Sequence, residues 1–226
     1  MADYNQIELR CIAHLSQDPG LVGAFTAGDD IHAQTAARIF EVDPSEVTVA
    51  QRSTAKMVSY GLAYGMEAYG LAQRLNIERS EAAEILEAYF AAFPAVKDYM
   101  ERTVAEARER GYTETLFGRR RPIPELASPN RQIKMAGERQ AMNAGIQGLA
   151  ADIFKVALID LHRALAQVDT GSRIVLQVHD EVIVEVPPAA TDEVGALTRE
   201  VMGRAAELRV LLEVNLSFGA TWADAK

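Results

Sequence analysis

The sequence predicts an α+β protein in which a mostly helical segment of about 140 residues precedes a smaller α+β segment of about 55. Apolar residues recur at helical spacing through most of the first two thirds of the chain. The later stretch RIVLQVHDEVIVEV has apolar or β-branched residues on both sides of a polar centre, which is typical of two strands joined by a tight turn. With 226 residues, 49% of them hydrophobic and 24% charged, the chain is long enough to bury a sizeable core.

The first helices are indicated by their periodicity and by capping residues. Residues 5–16 carry apolar side chains in a helical pattern. Asp30 can cap the segment IHAQTAARIF, and the turn Asp43-Pro44-Ser45 leads into a helix expected from about Glu46. Further helices are predicted for EAAEILEAYFAAF and for AVKDYMERTVAEARER, which ends at Gly111. A small hairpin or loop follows around Gly118.

The later elements are predicted from the same signals. Residues 130–167 are helical in pattern, and the glycines between Gly145 and Gly148 predict a break into two helices. A helix is expected from Thr191 to Leu208, and LLEVNLSF is expected to form a final strand.

The overall charge and the cysteine content limit the class of protein. A net charge of −9 argues mildly against a nucleic-acid binder, but residues 118–139 hold six basic side chains against two acidic ones and could bind a polyanion. One cysteine excludes an internal disulfide and fits a reducing compartment. No secretion signal and no run of about 20 apolar residues is present. The sequence therefore predicts a soluble, cytoplasmic protein without a membrane partner.

Two aspartates far apart in the chain, Asp3 and Asp180, each lie next to a change of secondary structure. Carboxylates from distant segments can hold two divalent cations about 3.5–4 Å apart, as phosphoryl transfer requires. Glu181 could add charge beside them. Alternatively, Asp180 and Glu181 are ordinary turn residues, because aspartate favours turns. Their position between two apolar strands would present this charge on a rigid support.

Two stripes of polar side chains follow helical spacing. Arg52, Lys56, Tyr60 and Tyr64 are each four residues apart, which suits a polyphosphate at one end and a base or sugar at the other. Arg139, Asn143 and Gln147 repeat the spacing with groups that can contact DNA. The alternative for the first stripe is an amphipathic helix with two solvated cations and two core tyrosines. The alternative for the second is a polar stripe that faces solvent.

Three stretches together resemble the motifs of the bacterial DNA polymerase I family, the family A DNA polymerases. DYNQIELR (3–10) is similar to the first motif, usually DYSQIEL, with Asn5 in place of serine. RSTAKMVSYGLAYG (52–65) is similar to the fingers-helix motif R-x3-K-x3-[FY]-G-x2-YG, and QVHDEV (177–182) to the palm hairpin. The resemblance implies a helical fingers lobe and a small antiparallel-sheet palm lobe, with palm residues at 1–18, fingers at 19–126 and the rest of the palm at 127–226.

The resemblance also implies template-directed DNA synthesis in replication and repair, in the bacterial cytosol at the nucleoid. Asp3 and Asp180 are then the ligands of two Mg²⁺ ions, with Glu181 an acidic helper and Lys56 also catalytic. Nucleotide contacts are expected from Arg52, Lys56, Tyr60, Tyr64, His32, Glu8 and Gln6, and DNA contacts from Arg139, Asn143, Gln147 and His179. Among these, Glu8 matches the gate that excludes a ribose 2′-hydroxyl. Expected partners are primer-template DNA and deoxynucleoside triphosphates.

The chain departs from the family pattern at its start. Family members carry a thumb and the opening of the palm before the first motif, whereas only Met1 and Ala2 precede Asp3 here. The thumb is therefore expected to be absent, with a separate thumb-containing polypeptide as a candidate partner. The strand leading into Asp3 is also expected to be missing, which would leave a sheet edge exposed and Asp3 poorly fixed.

Two other functions remain open on the sequence. One is a fingers module that binds nucleotide or DNA but does no chemistry without the missing thumb and palm. The other is a metal phosphohydrolase of the HD type, suggested by His14, His32 and the pair His179-Asp180. The HD type is disfavoured because its His-Asp pair lies on helices, whereas this pair lies in a strand-like segment.

Overall fold

The computed structural model describes residues 1–225, which form two compact units. One unit is Glu8–Leu149, and the other combines Met1–Ile7 with the chain from Ala150 onward. Helices dominate the first unit, and the larger antiparallel sheet belongs to the second, so the predicted α+β class is confirmed. The predicted boundaries of palm and fingers, at 1–18, 19–126 and 127–226, stay a prediction. They follow the family resemblance, whereas the two units are defined by compactness.

Within residues 1–225 the chain forms nine α-helices and six β-strands. The helices are α1 (Ile7–Ser16), α2 (Pro19–Ala27), α3 (Ile31–Phe40), α4 (Val49–Ala63), α5 (Ala68–Leu75), α6 (Arg79–Ala92), α7 (Pro94–Arg110), α8 (Arg131–Val168) and α9 (Thr191–Gly203). The strands are β1 (Ala2–Tyr4), β2 (Tyr112–Glu114), β3 (Arg120–Pro122), β4 (Arg173–Val178), β5 (Glu181–Glu185) and β6 (Val214–Leu216).

Side-chain caps set the start of the helices in the first unit. The carboxylate of Asp30 accepts hydrogen bonds from the backbone at the start of α3, so that predicted cap is confirmed. Helix α4 begins later than expected, after a 3₁₀ turn at Pro44–Glu46. Its start is a capping box: the side chain of Thr48 accepts a hydrogen bond from the backbone N–H of Gln51, and the side chain of Gln51 accepts one from the backbone N–H of Thr48. The T-x-x-Q pattern at 48–51 is the sequence signal that indicates this helix start.

Helix α8 is continuous, so the predicted break near Gly145–Gly148 is wrong. These glycines permit close packing instead. A Cβ atom on Gly145 would lie 2.7 Å from Oη of Tyr99, and one on Gly148 would lie 2.6 Å from Cγ2 of Thr115. The carbonyl of Gly148 also accepts a hydrogen bond of 2.7 Å from Nη2 of Arg119. The hairpin of β2 and β3 therefore rests directly on the α8 backbone.

Substitution of Gly148 tests this packing. We expect Gly148→Ala to lower the free energy of unfolding by about 1 kcal/mol, because the clash with Thr115 outweighs the better helix propensity of alanine. Adding Thr115→Ser should restore stability, since serine lacks the clashing methyl group but keeps the hydroxyl that accepts from Arg119 N. Urea unfolding measures both variants. If Gly148→Ala is as stable as the wild type, the contact does not explain the glycine.

The second unit contains a four-stranded antiparallel sheet in the order β4-β5-β1-β6. Strand β1 lies inside this sheet, so the expectation of a missing strand at Asp3 is wrong. The neighbours of Asp3 point to the opposite face and are buried, with Ala2 and Tyr4 each 2% exposed. Tyr4 Oη donates to Met202 O at 2.8 Å, and its ring packs edge-on against Phe154. Asp3 is thus firmly fixed.

The end of the chain differs in length from the prediction. Helix α9 stops at Gly203, well before Leu208. Beyond it, Val210, Leu212 and Val214 are buried while the intervening side chains are exposed, which is the alternation of an extended chain. Within the predicted strand LLEVNLSF, only Val214–Leu216 is assigned as β6.

Candidate active site

The central strand of the sheet places Asp3 opposite a second acidic residue. Asp3 is the register partner of Glu181 on β5 and of Asn215 on β6. Directly opposite residues in an antiparallel pair lie on one face with Cβ atoms about 4.5–5.5 Å apart. Nδ2 of Asn215 donates to Oδ2 of Asp3 at 3.4 Å. Asp3, Glu181 and Asn215 therefore form a polar row across three strands.

Asp180 stands at the tip of the hairpin beside this row. Val178 pairs with Glu181, so His179 and Asp180 form a two-residue turn, and the predicted pair of strands with a polar turn is confirmed. The backbone of His179 is left-handed, with φ of 54°. Nε2 of Gln177 donates to the carbonyl of His179 at 2.6 Å and braces the turn.

Left-handed backbone at two non-glycine residues marks the surroundings of both aspartates. Within residues 1–225 six non-glycine residues have positive φ, and four of them directly follow a helix end, where this conformation is common: Gln17, Glu41, Asn76 and Asp169. The other two are His179, next to Asp180, and Gln6, between β1 and α1. Such conformations cost on the order of 1–3 kcal/mol and cluster at functional sites.

The carboxylate of Asp180 is repelled by those of Asp3 and Glu181. Burial raises the pKa of Asp180, and the negative charges of Asp3 and Glu181 raise it further. Oε2 of Glu181 is buried and has no hydrogen-bond partner within the described residues. Like charges directly opposite each other destabilise a sheet, and a buried acceptor without a partner adds to that cost. A bound cation would offset both effects.

The donor set suits a hard divalent cation, although the protein supplies only part of its coordination. Within residues 1–225 no group of three or more His, Cys, Asp or Glu side chains has the arrangement of a complete metal site. Mg²⁺ prefers oxygen ligands and is usually held by one or two carboxylates together with water and substrate phosphates. Asp3 and Asp180, with the orphaned oxygen of Glu181 nearby, fit such a partial site.

In the first unit, the stripe of Arg52, Lys56, Tyr60 and Tyr64 lies along α4 and its C-cap. Arg52 and Lys56 are exposed. Nε of Arg52 lies 2.7 Å from Oδ2 of Asp30, the residue that caps α3. Lys56 makes no ion pair within the part of the chain that the structure describes. The charge of Lys56 is therefore not already paired with a carboxylate, whereas that of Arg52 is.

His32 is buried against this stripe. Only 2% of its surface is exposed, its ring lies 5.7 Å from that of Tyr60, and its Nδ1 has no hydrogen-bond partner within residues 1–225. Burial lowers the pKa of His32 to about 4; Asp30 opposes the change, and the cations Arg52 and Lys56 add to it. The imidazole is therefore neutral at physiological pH.

The titration of His32 predicts a pH dependence of stability. The pKa of His32 falls from 6.5 to about 4 on folding. Its contribution to the free energy of unfolding is therefore fully present above pH 6.5 and is lost as the pH falls towards 4. We expect the unfolding free energy of the wild type to lose about 2–3 kcal/mol more than that of His32→Gln over this window. Urea unfolding at several pH values measures the difference. His162→Gln, on the exposed side of α8, is the control, and equal slopes for wild type and His32→Gln would contradict the burial effect.

The loop after α4 contacts other predicted site residues of the same unit. Tyr64 Oη donates to Oε1 of Glu8 at 2.8 Å. A Cβ atom on Gly65 would lie 2.9 Å from Nδ2 of Asn143, and Nη1 of Arg139 lies 3.2 Å from Oε1 of Glu67. Gln147 continues the α8 stripe and is half-buried. The structure therefore brings Tyr64, Glu8, Arg139 and Asn143 to one loop.

The HD phosphohydrolase alternative is inconsistent with this geometry, because His179 and Asp180 lie in a β-turn and not on helices. None of the helices within residues 1–225 has the length and apolar character needed to span a membrane.

Comparison with known proteins identifies the family. The model of DNA polymerase family A matches residues 1–224. The chain belongs to DNA polymerase family A. The resemblance of the three motifs is thereby confirmed, and with it the fold of a family A polymerase domain.

Relatives within family A align along almost the whole chain. DNA polymerase I of Mycobacterium bovis is 52% identical over 221 residues, which are 98% of this chain and 24% of that protein. DNA polymerase I of Geobacillus stearothermophilus is 50% identical over 225 residues, 100% of this chain and 26% of the relative. The chain thus spans about a quarter of the length of these relatives.

A solved structure from family A has the same fold. The POL domain of Pol1 from M. smegmatis, in complex with DNA primer-template and dNTP, superimposes with a TM-score of 0.94 at 51% sequence identity. The match covers 99% of this chain and 40% of that one.

Sequence reasoning missed two residues that support the site. Asn215 contacts Asp3 through strand register, which pairs residues from opposite ends of the chain and leaves no local signal. Glu67 contacts Arg139 through the loop after α4 and was likewise not predicted. The family roles of the predicted site residues stay predictions.

Proposed function

We propose that this chain carries the nucleotidyl-transfer site of a template-directed DNA polymerase, which adds deoxynucleotides to a primer 3′-hydroxyl. The observation that carries the proposal is the cluster of Asp3, Asp180 and Glu181, whose repulsion a divalent cation would relieve. Membership in family A supports it.

Asp3 and Asp180 would hold two Mg²⁺ ions, with Glu181 beside them. When bound, such ions lower the pKa of an attacking hydroxyl and neutralise charge on the transferring phosphoryl group and the departing pyrophosphate. The protein's own part is to hold the two carboxylates in place: β1 fixes Asp3 between two strands, and the braced turn fixes Asp180.

The α4 stripe would bind the incoming nucleotide. Lys56 offers a point charge and Arg52 a planar fork, both suited to a triphosphate. His32, neutral at physiological pH, would contribute an N–H donor and not a positive charge. Tyr60 would pack on the sugar, Tyr64 would lie near the templating base, Glu8 would exclude a 2′-hydroxyl, and Gln6 would contact the nucleotide.

Arg139, Asn143, Gln147 and His179 would contact template or primer. The first three lie on α8 at intervals of four residues, and His179 belongs to the braced turn. Such residues position DNA mainly through its backbone, so their substitution should weaken binding without changing the sequence preference.

Primer extension tests the proposal. The chain is mixed with a labelled primer-template, Mg²⁺ and one nucleotide at a time, alone and with a thumb-containing segment of a close relative. We expect only the nucleotide complementary to the template base to be added. Binding of nucleotide and DNA without extension in both mixtures would favour a binding module, and failure to bind either would overturn the proposal.

A further inference from the structure

Glu67 forms an ion pair with a residue that, under the proposed function, contacts DNA. Oε1 of Glu67 lies 3.2 Å from Nη1 of Arg139, with 53% and 36% of the two side chains exposed. Glu67 stands at the N-cap position of α5, yet its side chain makes no capping hydrogen bond. Its carboxylate is thus directed to Arg139 and not to the start of its own helix.

The loop before Glu67 packs closely against α8. Gly65, with φ of 68°, approaches α8 so closely that a Cβ atom would lie 3.3 Å from Cβ of Arg139 and 2.9 Å from Nδ2 of Asn143. Oδ1 of Asn143 is buried there without a hydrogen-bond partner in the part of the chain that the structure describes. A buried amide oxygen without a partner costs free energy. The loop therefore covers two DNA-contact candidates in an arrangement that leaves one of them unsatisfied.

We propose that Glu67 is a positioning residue that competes with DNA for Arg139. Its carboxylate occupies the guanidinium of Arg139 when DNA is absent, and a backbone phosphate displaces it when DNA binds. Carboxylate and phosphate both match the planar fork of arginine, so one can replace the other. The proposal rests on the DNA-contact role of Arg139 in the proposed function.

The stability of the ion pair sets how much this competition weakens the affinity for DNA. An exposed ion pair contributes about 0.2–1 kcal/mol, and a competing state of that stability weakens the apparent affinity for DNA about two- to sixfold. Removing the carboxylate should recover this factor. The gain must depend on Arg139, because the carboxylate acts through that side chain.

The test measures the Kd for a fluorescent primer-template by anisotropy, without nucleotide or divalent cation. Four proteins form a double-mutant cycle: wild type, Glu67→Gln, Arg139→Met and the double variant. Glu78→Gln is the matched control. Glu78 is also an exposed N-cap glutamate without a side-chain cap, and its substitution removes the same charge. We expect Glu67→Gln to bind about two- to sixfold more tightly, Glu78→Gln to match the wild type, and the gain to disappear in the Arg139→Met background.

Every other result contradicts either the competition by Glu67 or the DNA contact of Arg139. Equal affinity of wild type and Glu67→Gln, an equal gain in Glu78→Gln, or a gain that persists without Arg139 refutes the competition and leaves the DNA contact standing. Arg139→Met that binds DNA as tightly as the wild type removes the DNA contact itself, and the competition falls with it. A structural role alone would shift the unfolding midpoint of Glu67→Gln without changing the Kd.

Discussion

Replacing Asp180 with asparagine is expected to lower primer extension roughly a thousandfold or more while making the cation-free chain more stable. The loss of activity follows from the loss of a cation ligand. The gain in stability follows from the raised pKa of Asp180. A carboxyl whose pKa rises on folding favours the native state while protonated, and that contribution is lost as the pH rises through the folded pKa. At neutral pH its charge therefore opposes folding, and asparagine removes it.

Extension rates and thermal unfolding in the presence of a chelator measure the two effects. Asp169→Asn is the matched control: Asp169 is exposed and belongs to the same unit, and its left-handed backbone, with φ of 48°, accepts asparagine readily. It should leave both quantities unchanged. An Asp180→Asn chain that is inactive and also less stable than the wild type would mean that Asp180 serves the fold and not a cation.

Replacing Lys56 with glutamine is expected to reduce kcat/KM for the nucleotide by about 10- to 100-fold, with little change in stability. Hydrogen bonds to charged groups contribute about 1.5–3 kcal/mol, and Lys56 is exposed. Arg52→Gln should cost less, because Asp30, 2.7 Å from Nε of Arg52, already neutralises part of the positive charge of Arg52. Single-nucleotide extension at varied nucleotide concentration measures both variants.

Lys97→Gln is the control for this comparison, since Lys97 is exposed on α7 and pairs weakly with Glu101 at 3.9 Å. It should behave as the wild type. An effect of Arg52→Gln as large as or larger than that of Lys56→Gln would contradict the partial neutralisation of Arg52 by Asp30. Equal losses in Lys97→Gln and Lys56→Gln would show that overall charge, and not the stripe, attracts the nucleotide.

Local signals were sufficient for much of the fold. The cap at Asp30 and the strands on either side of His179-Asp180 depend on short-range patterns that a sequence displays directly. The α4 stripe follows from helical spacing alone once the helix is recognised. The position of Asp180 at a hairpin tip was therefore predictable without any knowledge of its partners.

Long-range packing decided the points that were predicted wrongly. Gly145 and Gly148 look like helix breakers in sequence, but Tyr99 and Thr115 pack against them and leave no room for a side chain. The burial of Ala2 and Tyr4, which fixes Asp3, depends on strands from the other end of the chain. The pairing of Glu67 with Arg139 likewise joins residues far apart in sequence.

The most direct test of the proposed site is the binding of Mn²⁺, followed by electron paramagnetic resonance in the presence of a deoxynucleoside triphosphate. Mn²⁺ takes the oxygen ligands that suit Mg²⁺. The wild type should bind Mn²⁺ beyond what the free nucleotide binds, and Asp3→Asn and Asp180→Asn should each lose that binding, whereas Asp169→Asn should retain it. Undiminished binding in both Asp3→Asn and Asp180→Asn would contradict a cation site at these two carboxylates.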